Sequence, residues 1–340
     1  MKRIIIICIS LLFTCFAFAQ EDTESLVRVG IKLHDEGEFI KAIETYKKAL
    51  AIEPDSPIIN YEISLTYMSL KDYENALKYS DIVLKLNKGA LIEAYNVKGS
   101  ALDYLGKTKE AIEVYKEAIE KLGGSNLLYY NLSYSYFRIK DFTLAEETII
   151  LAIKENPYHS SSHLLLAYIQ AESKKLSQSL LCLYYFLLLE PDTERSYTAI
   201  LLFDRLCKEA VPVQEGKQTI VIDGPKSSAN DYFANIDFML KLIIASHQLD
   251  EENLKQNSDD KFIDTTKSFF SLFDIIDEKN KDAGNNFWRN FYLPFFSELT
   301  KENHVTAFCY YITQSANKNT FKWAEDNQES MEKFINWLNK

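Results

Sequence analysis

Cysteine is scarce in this sequence, and the cysteines that are present form no pattern. There are five in 340 residues, and two of them, Cys8 and Cys15, lie in an N-terminal segment that we expect to be removed. The other three, Cys182, Cys207 and Cys309, are an odd number at wide spacing and form no CxxC pair. This argues against a disulfide framework and a cysteine-based metal site, so we expect the three to be small buried apolar side chains.

An excess of basic residues is also missing. Lysine and arginine number 38 against 49 aspartates and glutamates, which gives a formal net charge of −11. Binding to nucleic acid needs a clustered basic face, and docking on anionic lipid needs basic residues close to the membrane. The acidic balance therefore argues against the first partner and, more weakly, against the second.

Long apolar runs are absent after the N-terminus, where no stretch of about 18 apolar residues occurs. The N-terminus itself predicts an export signal over residues 1–19. It has a basic head at 2–3, an uncharged apolar run from Ile4 to Phe16, and a small-x-small cleavage pattern at 17–19. An uncleaved anchor and a lipoprotein with Cys15 at its mature end are the alternatives. The sequence leaves the final compartment open between the periplasm, the external medium and the periphery of the outer membrane.

Motifs for catalysis, cofactors and metals are missing as well. There is no GxGxxG and no GxSxG, and the Gly-Lys pair at 216–217 lacks the earlier glycine of a phosphate loop because Val211 stands there. His159 and His163 have the spacing of a metal-binding pair on one helix. They straddle the junction after Pro157, so we do not expect them to share a regular helix. We therefore expect no enzymatic activity, no cofactor and no metal.

An internal repeat dominates the first half of the chain. Small residues recur, at spacings of 34 or 35, at Ala42, Ala76, Ala111, Ala145 and Ser179. A second series runs in step through Ala49, Val83, Ala118, Ala152 and Phe186. Helix breakers end the units at Pro54, Lys88-Gly89, Gly123, Pro157 and Pro191. A period of this length, with two series in step, indicates stacked helical repeats.

Each member of the pattern has a physical role in a helix–turn–helix unit. Ala42 and Ala49 are seven residues apart, so they share one helix face, and small side chains there let a neighbouring helix approach closely. Proline ends the second helix because it lacks an N–H and clashes with the preceding turn. Gly37 and Gly106 fall between the two helices of a unit, where a positive φ is needed and glycine adopts it easily.

These residues resemble tetratricopeptide repeats (TPR). The resemblance covers about residues 23–193, which are five units, although the fifth has Ser179 and Phe186 at the two marker positions. It implies a helical solenoid whose stacked units share a core and leave a long concave surface. We expect residues 194–210 to form a helix that caps the stack. Residues 211–231 contain Pro, Gly and Ser and are predicted to be a linker, with a short strand at Thr219–Ile222.

The resemblance also implies where a partner would bind. In this family the first helix of each unit lines the concave groove, and the matching positions here are Tyr61, Leu65, Asn96, Ser100, Tyr130, Asn131, Tyr134, Arg138 and Tyr168. Rigid tyrosine rings give a large contact area at low entropic cost, and amides can bond an extended peptide backbone. Some family members hold a peptide carboxylate with several basic residues, but only Arg138 is basic in this set. The alternative is that several of these tyrosines only pack between units.

Residues 232–340 show helical periodicity without a family resemblance, and we predict an all-helical domain. The segment Asn285–Leu299 carries aromatic residues at spacings of three and four, on either side of Pro294. Such a stripe is usually core, and the proline predicts a kink or a new helix start. An exposed partner site and membrane insertion are the alternatives for this stripe.

The sequence thus predicts an all-α protein with about five TPR units and a helical C-terminal domain. The predicted function is that of an exported, non-catalytic scaffold that binds a protein or peptide through the groove. Two alternatives stand beside it: an enzyme with a catalytic C-terminal domain whose repeats recruit substrate, and a structural subunit of a cell-envelope assembly. Nucleic acid is not an expected partner, and no membrane span is expected in the mature chain. The sequence does not determine the oligomeric state.

Overall fold

The computed structural model describes residues 22–212, 222, 224, 232–249, 258–279 and 286–340. The expected signal at 1–19, residues 219–221 of the expected short strand and nearly all of the linker at 211–231 lie outside the described residues. Within the described residues there are seventeen helices and no strand, so the all-α prediction is confirmed.

The helices follow one another with short connections through the first eleven. In chain order they are α1 (Thr23–Asp35), α2 (Phe39–Ile52), α3 (Pro57–Ser69), α4 (Tyr73–Leu86), α5 (Leu91–Tyr104), α6 (Thr108–Leu122), α7 (Asn126–Arg138), α8 (Phe142–Glu155), α9 (Ser160–Glu172), α10 (Leu176–Leu189), α11 (Glu194–Ala210), α12 (Tyr232–Leu249), α13 (Ser258–Lys279), α14 (Phe287–Lys301), α15 (Val305–Ile312), α16 (Thr320–Asp326) and α17 (Gln328–Leu338).

The chain divides into two compact units, residues 1–139 and 140–340. The first contains α1–α7 and the second contains α8–α17. The division falls between the two helices of the fourth predicted repeat, whereas the sequence suggested domain limits near residues 193, 210 and 231. Those limits stay a prediction, and each unit is described by itself below.

The first unit packs as a helical solenoid. Each helix contacts the next one in the chain, and the first helices of successive pairs, α1, α3, α5 and α7, also contact one another in order. The small marker residues lie at these contacts: Ala42, Ala49, Ala76, Ala111 and Ala118 are completely buried. Close approach at small side chains is what the repeat pattern predicted.

In a second type of helix contact, a glycine packs against a large aromatic side chain. Gly30 and Gly99 occupy equivalent repeat positions, and a Cβ added to either would lie 2.3 Å from a tyrosine ring, that of Tyr46 or Tyr115 respectively. Both rings are almost fully buried. Each glycine therefore makes room for an aromatic side chain from the second helix of its own repeat.

The turns inside the repeats use one residue with a positive φ each. The φ angles are 78° at both Gly37 and Gly106 and 61° at Lys71 in the first unit, and 63° at Lys140 and 60° at Lys174 in the second. Glycine adopts this conformation without strain, whereas lysine pays a steric penalty for its Cβ. The predicted role of the two glycines is confirmed.

The second unit is built around α10. Twelve of the fourteen residues of this helix are buried, including Phe186, because α9, α11, α12, α14 and α15 all pack against it. A helix that is apolar on all sides belongs inside a core. This explains why the fifth repeat departs from the pattern: its second helix is enclosed, and a large Phe186 fills space there.

The aromatic stripe at 285–299 is part of this core. Trp288, Tyr292 and Phe296 are buried on α14, so the expectation of a core helix is confirmed. The helix continues through Pro294, and the alternative of a new helix start there is wrong. Pro294 itself is exposed, so the carbonyl that loses its helical hydrogen bond lies toward the solvent side of the helix.

Candidate partner-binding groove

The predicted groove residues fall on the first helices of the repeats. Tyr61 and Leu65 lie on α3, Asn96 and Ser100 on α5, and Tyr130, Asn131, Tyr134 and Arg138 on α7, all in the first unit. Tyr168 lies half-buried on α9 in the second unit. The groove described below, called the first-unit groove, is the face of α3, α5 and α7 that carries the first eight residues.

The α3 end of the first-unit groove is apolar. Tyr61 and Leu65 are half-buried and one helical turn apart. The Tyr61 ring packs on a cluster that includes Ala76 and Val97. Burial, together with nearby carboxylates, raises the pKa of Tyr61 above its usual value, so its hydroxyl stays neutral and can donate a hydrogen bond.

Two amides meet in the middle of the groove. Asn131 Nδ2 donates to Asn96 Oδ1 at 2.9 Å, which links α7 to α5. Asn96 is only 7% exposed, and its Nδ2 has no hydrogen-bond partner within the described residues. An unpaired buried donor is costly, so Asn96 Nδ2 would be stabilised by a hydrogen-bond acceptor that reached it.

Ser100 and Arg138 serve the packing of the repeats. Ser100 Oγ lies 3.1 Å from the Tyr115 hydroxyl. Arg138 Nη1 donates to the backbone carbonyl of Asp103 at 2.6 Å and lies 3.2 Å from Asp103 Oδ1. Because Arg138 is held by Asp103, it is not disposed to clamp a carboxylate of a partner.

Tyr134 is the exposed tyrosine of the predicted set. Its exposed fraction is 44%, whereas Tyr130 and Asn131 are half-buried. Tyr104, which the prediction missed, is 64% exposed at the end of α5, and its ring stacks on Tyr73 at a centroid distance of 4.7 Å. The groove therefore presents aromatic rings to solvent from both α5 and α7.

Sequence reasoning also missed a polar bond that recurs between repeats. Asp103 Oδ2 accepts from Ser135 Oγ at 2.5 Å, and at the equivalent positions His34 Nδ1 lies 2.8 Å from Thr66 Oγ1. In both pairs the partners are 32 residues apart, on consecutive first helices. Aligning the repeats and asking which polar residues share these two positions would have found them.

The paired histidines of the second unit have structural roles. His159 precedes α9, which begins at Ser160, and His163 lies inside it, so the two do not share a regular helix. His163 Nε2 is 2.8 Å from the carbonyl oxygen of Pro157, and Nδ1 is 2.7 Å from the Tyr292 hydroxyl. The carbonyl can only accept, so Nε2 carries the proton and Tyr292 donates to Nδ1. Burial lowers the pKa of His163 to about 4.

Metal-binding clusters and membrane-spanning helices are both absent from the described residues. No group of three or more His, Cys, Asp or Glu side chains is placed to hold a metal ion in the parts of the chain that the structure describes. None of the described helices is long and apolar enough to cross a membrane.

The architecture of paired helices with small buried contact residues defines a class, the helical repeat solenoids. The sequence model of the family "TPR repeat" matches residues 30–71, and that of "Tetratricopeptide repeat" matches residues 58–89, 92–120 and 128–159. The chain is therefore a tetratricopeptide-repeat protein over this part of its length. TPR proteins typically act as scaffolds for protein interaction.

Each of three curated relatives is similar to about a third of this chain or less. TPR repeat-containing protein MJ1428 of Methanocaldococcus jannaschii is 29% identical over 109 residues, which are 32% of this chain and 19% of that protein. Intraflagellar transport protein 70A of Danio rerio is 31% identical over 122 residues, with coverages of 28% and 19%. Photosystem I assembly protein Ycf3 of Acaryochloris marina is 32% identical over 101 residues, with coverages of 29% and 60%. The chain thus spans less than two thirds of the length of each of these relatives.

Two solved structures illustrate the likeness in helix arrangement. YrrB, a TPR protein with an unusual peptide-binding site, is 16% identical with a TM-score of 0.42, over 57% of this chain and 97% of its own. PilF of Pseudomonas aeruginosa is 18% identical with a TM-score of 0.48, over 55% and 83%.

Proposed function

We propose that this protein is a non-catalytic scaffold that holds an extended segment of a protein partner in the first-unit groove. The observation that carries the proposal is the pair of exposed rings, Tyr104 and Tyr134, on the first-helix face. Large rigid rings that project from a fixed scaffold are the residues that most often dominate binding energy at protein interfaces.

Asn96 and Asn131 supply the matching polar group. Their mutual hydrogen bond uses Asn96 Oδ1 as the acceptor, and the N–H groups of Asn96 Nδ2 are left unpaired. Because Nδ2 is buried, a backbone carbonyl of the bound segment would bond to it after a rotation of the Asn96 side chain. Hydrogen bonds to the partner's backbone do not distinguish between its side chains. Specificity would therefore come from the surface beside Tyr61, Leu65 and Tyr134.

The partner segment should be apolar or aromatic and need not end in a free carboxylate. Arg138 is already bonded to Asp103, and it is the basic member of the predicted set. A segment with several acidic residues would gain little from this groove, because the chain carries a net charge of −11.

Export is part of the proposal and rests on the sequence of residues 1–19. Sequencing the N-terminus of the protein recovered from cells checks it. The expected mature chain begins at Gln20, whereas an intact Met1 in the functional protein would contradict export by cleavage.

The groove is tested with peptides selected against the full-length protein by phage display. We expect selected peptides to bind the Tyr134→Ala variant at least about tenfold more weakly, the loss typical of an aromatic anchor. Isothermal titration calorimetry measures the affinities. The matched control is Tyr197→Ala, because Tyr197 has a similar exposed fraction of 47% and lies on α11, which carries none of the predicted groove residues. Equal affinities for the two variants would contradict binding in this groove.

A further inference from the structure

A second recess lies in the second unit, and nothing in the repeat pattern accounts for it. Its volume is about 530 Å³, which is within the range of roughly 300–1,000 Å³ found for small-molecule sites. Four helices and one turn form it: α11, the end of α12, the start of α13, the end of α15 and the turn that follows α15. We call it the α11 pocket.

The sequence spacing of α11 shows why a recess forms there. Its lining residues are Ile200, Phe203, Asp204, Cys207 and Lys208, at successive spacings of three, one, three and one. Such spacing is one face of a helix. One side of α11 therefore forms a wall of the pocket, while Leu202 and Leu206 are buried elsewhere in the core.

The deep part of the pocket is apolar. Among the lining residues, Phe203, Ile244, Ile263, Cys309 and Tyr310 are buried. Burial raises the pKa of both lining thiols, Cys207 and Cys309, to about 12, so both stay neutral and behave as apolar groups. A ring-containing or branched hydrocarbon body would be the natural occupant of this part.

The mouth of the pocket is charged, with an excess of cations. The lysines are Lys208, Lys261 and Lys318, and the aspartates are Asp204 and Asp259. Both aspartates already accept hydrogen bonds: Asp204 Oδ2 from Lys208 Nζ at 2.5 Å and Asp259 Oδ2 from Asn319 Nδ2 at 3.0 Å.

The mouth has more lysines than aspartates, whereas the chain as a whole carries a net charge of −11. Lys318 is exposed on the turn after α15, and no ion pair joins it to a carboxylate in the part of the chain that the structure describes. An anionic group would be stabilised at this rim, and a cationic group would be repelled.

From this arrangement we propose that the α11 pocket binds a small amphipathic organic anion, with its apolar body against Phe203 and Tyr310 and its charged head near Lys318. The polar pair formed by His247 Nδ1 and Thr265 Oγ1, 2.7 Å apart, lines the same recess and gives the ligand a hydrogen-bonding wall. This site is separate in sequence from the groove residues of the proposed function, so either can fail without the other.

Two fluorescent probes that share the same aromatic ring system test the proposal on the full-length protein. The anion is 8-anilinonaphthalene-1-sulfonate, and N-phenyl-1-naphthylamine is the same ring system without the sulfonate. We expect saturable binding of the anionic probe at one site per chain, followed by fluorescence and by calorimetry. The substitution Lys318→Glu should weaken the anionic probe about tenfold and leave the neutral probe unchanged. Lys322→Glu makes the same charge change at an exposed residue outside the lining, and it should alter neither probe.

A filling variant tests the position of the apolar body. Cys207 is partly exposed on the pocket wall, and Cys207→Phe should weaken both probes at least fivefold. Circular dichroism shows whether this variant is folded; if it is not, the two lysine variants decide. The proposal is overturned if the anionic probe does not saturate, if Lys318→Glu and Lys322→Glu weaken it equally, or if a folded Cys207→Phe variant binds both probes as the wild type does.

Discussion

In the first unit small marker residues recur at the helix contacts once in each repeat, as at Ala42, Ala76 and Ala111. In the second unit large aromatic residues gather around one helix, α10. Tyr184 on α10 is completely buried, and rings from α11, α13, α14 and α15 surround it. Its hydroxyl lies 2.8 Å from Thr266 Oγ1.

This difference has consequences for stability. In a solenoid each repeat contacts its neighbours, so stability is close to a sum of local terms. In a single aromatic cluster every ring supports several others, so the loss of one is felt throughout the cluster. Binding surfaces also differ: the solenoid offers a long open face, and the aromatic cluster leaves a compact pocket at its side.

The largest effect is expected for Phe296→Ala in the second unit. Phe296 is fully buried, and its ring stacks on Phe270 at 4.6 Å. Removing it should lower the free energy of unfolding by about 3–5 kcal/mol. Hydrogen exchange measured by mass spectrometry should show faster exchange across residues 140–340 and little change in residues 22–139.

Phe321→Ala is the matched control, because Phe321 is 64% exposed and its loss should cost less than about 0.5 kcal/mol. Equal loss of protection in both units of the Phe296→Ala variant would show that the two cores do not differ in the proposed way.

The next effect concerns the glycine that makes room for a ring in the first unit. Gly99→Ala places a Cβ 2.3 Å from the Tyr115 ring, and such overpacking costs about 1–3 kcal/mol. Urea denaturation measures the cost. In a Tyr115→Leu background the same change should cost clearly less, because the ring is gone. Additive costs in the double variant would contradict the pairing of Gly99 with Tyr115.

In the second unit the free energy of unfolding is expected to fall by about 2 kcal/mol at acidic pH. The pKa of His163 is lowered from 6.5 to about 4 by burial, so the unfolded chain binds more protons than the folded chain between these two values. Stability should therefore be full above pH 6.5 and fall as the pH drops, by about 1.4 kcal/mol per pH unit, reaching the 2 kcal/mol near pH 5. The variant His163→Gln should lose this dependence. Identical pH profiles for wild type and variant would assign the acid sensitivity to other groups.

The smallest effect concerns the turns. Lys71 has a φ of 61° where the first and third repeats have Gly37 and Gly106. Lys71→Gly should therefore stabilise the first unit by up to about 1 kcal/mol. Lys78→Gly, the same change inside α4, should destabilise it by about 1 kcal/mol, because glycine is a poor helix former. Denaturation midpoints of the two variants should move in opposite directions.

The sequence was sufficient for features that repeat or act locally. The repeat period predicted the helix pairs, and the small residues predicted the contacts between helices. Gly37 and Gly106 predicted the turns. Each of these features depends only on neighbours within one or two repeats. The helix expected at 194–210 is present as α11 with the same limits. Among the predicted groove residues, Tyr134 is exposed in the structure. The hydrogen bond from Arg138 to Asp103 was not predicted from the sequence.

Contacts between helices far apart in the chain could not be predicted from the sequence pattern. Periodicity shows that α14 has an apolar face, but it does not show that this face packs on α10, more than a hundred residues earlier. The bond between His163 and Tyr292 spans 129 residues, and the α11 pocket is formed by residues from 200 to 319. Such contacts depend on which helix faces meet in three dimensions, and periodicity along the chain does not show this.

The central claim, that the first-unit groove holds a partner segment, is tested most directly by amide hydrogen exchange with and without a peptide selected by display. The account predicts slower exchange in α3, α5 and α7 of the full-length protein on binding, and loss of that protection in the Tyr134→Ala variant at the same peptide concentration. Protection confined to residues 140–340, with none in these three helices, would contradict it.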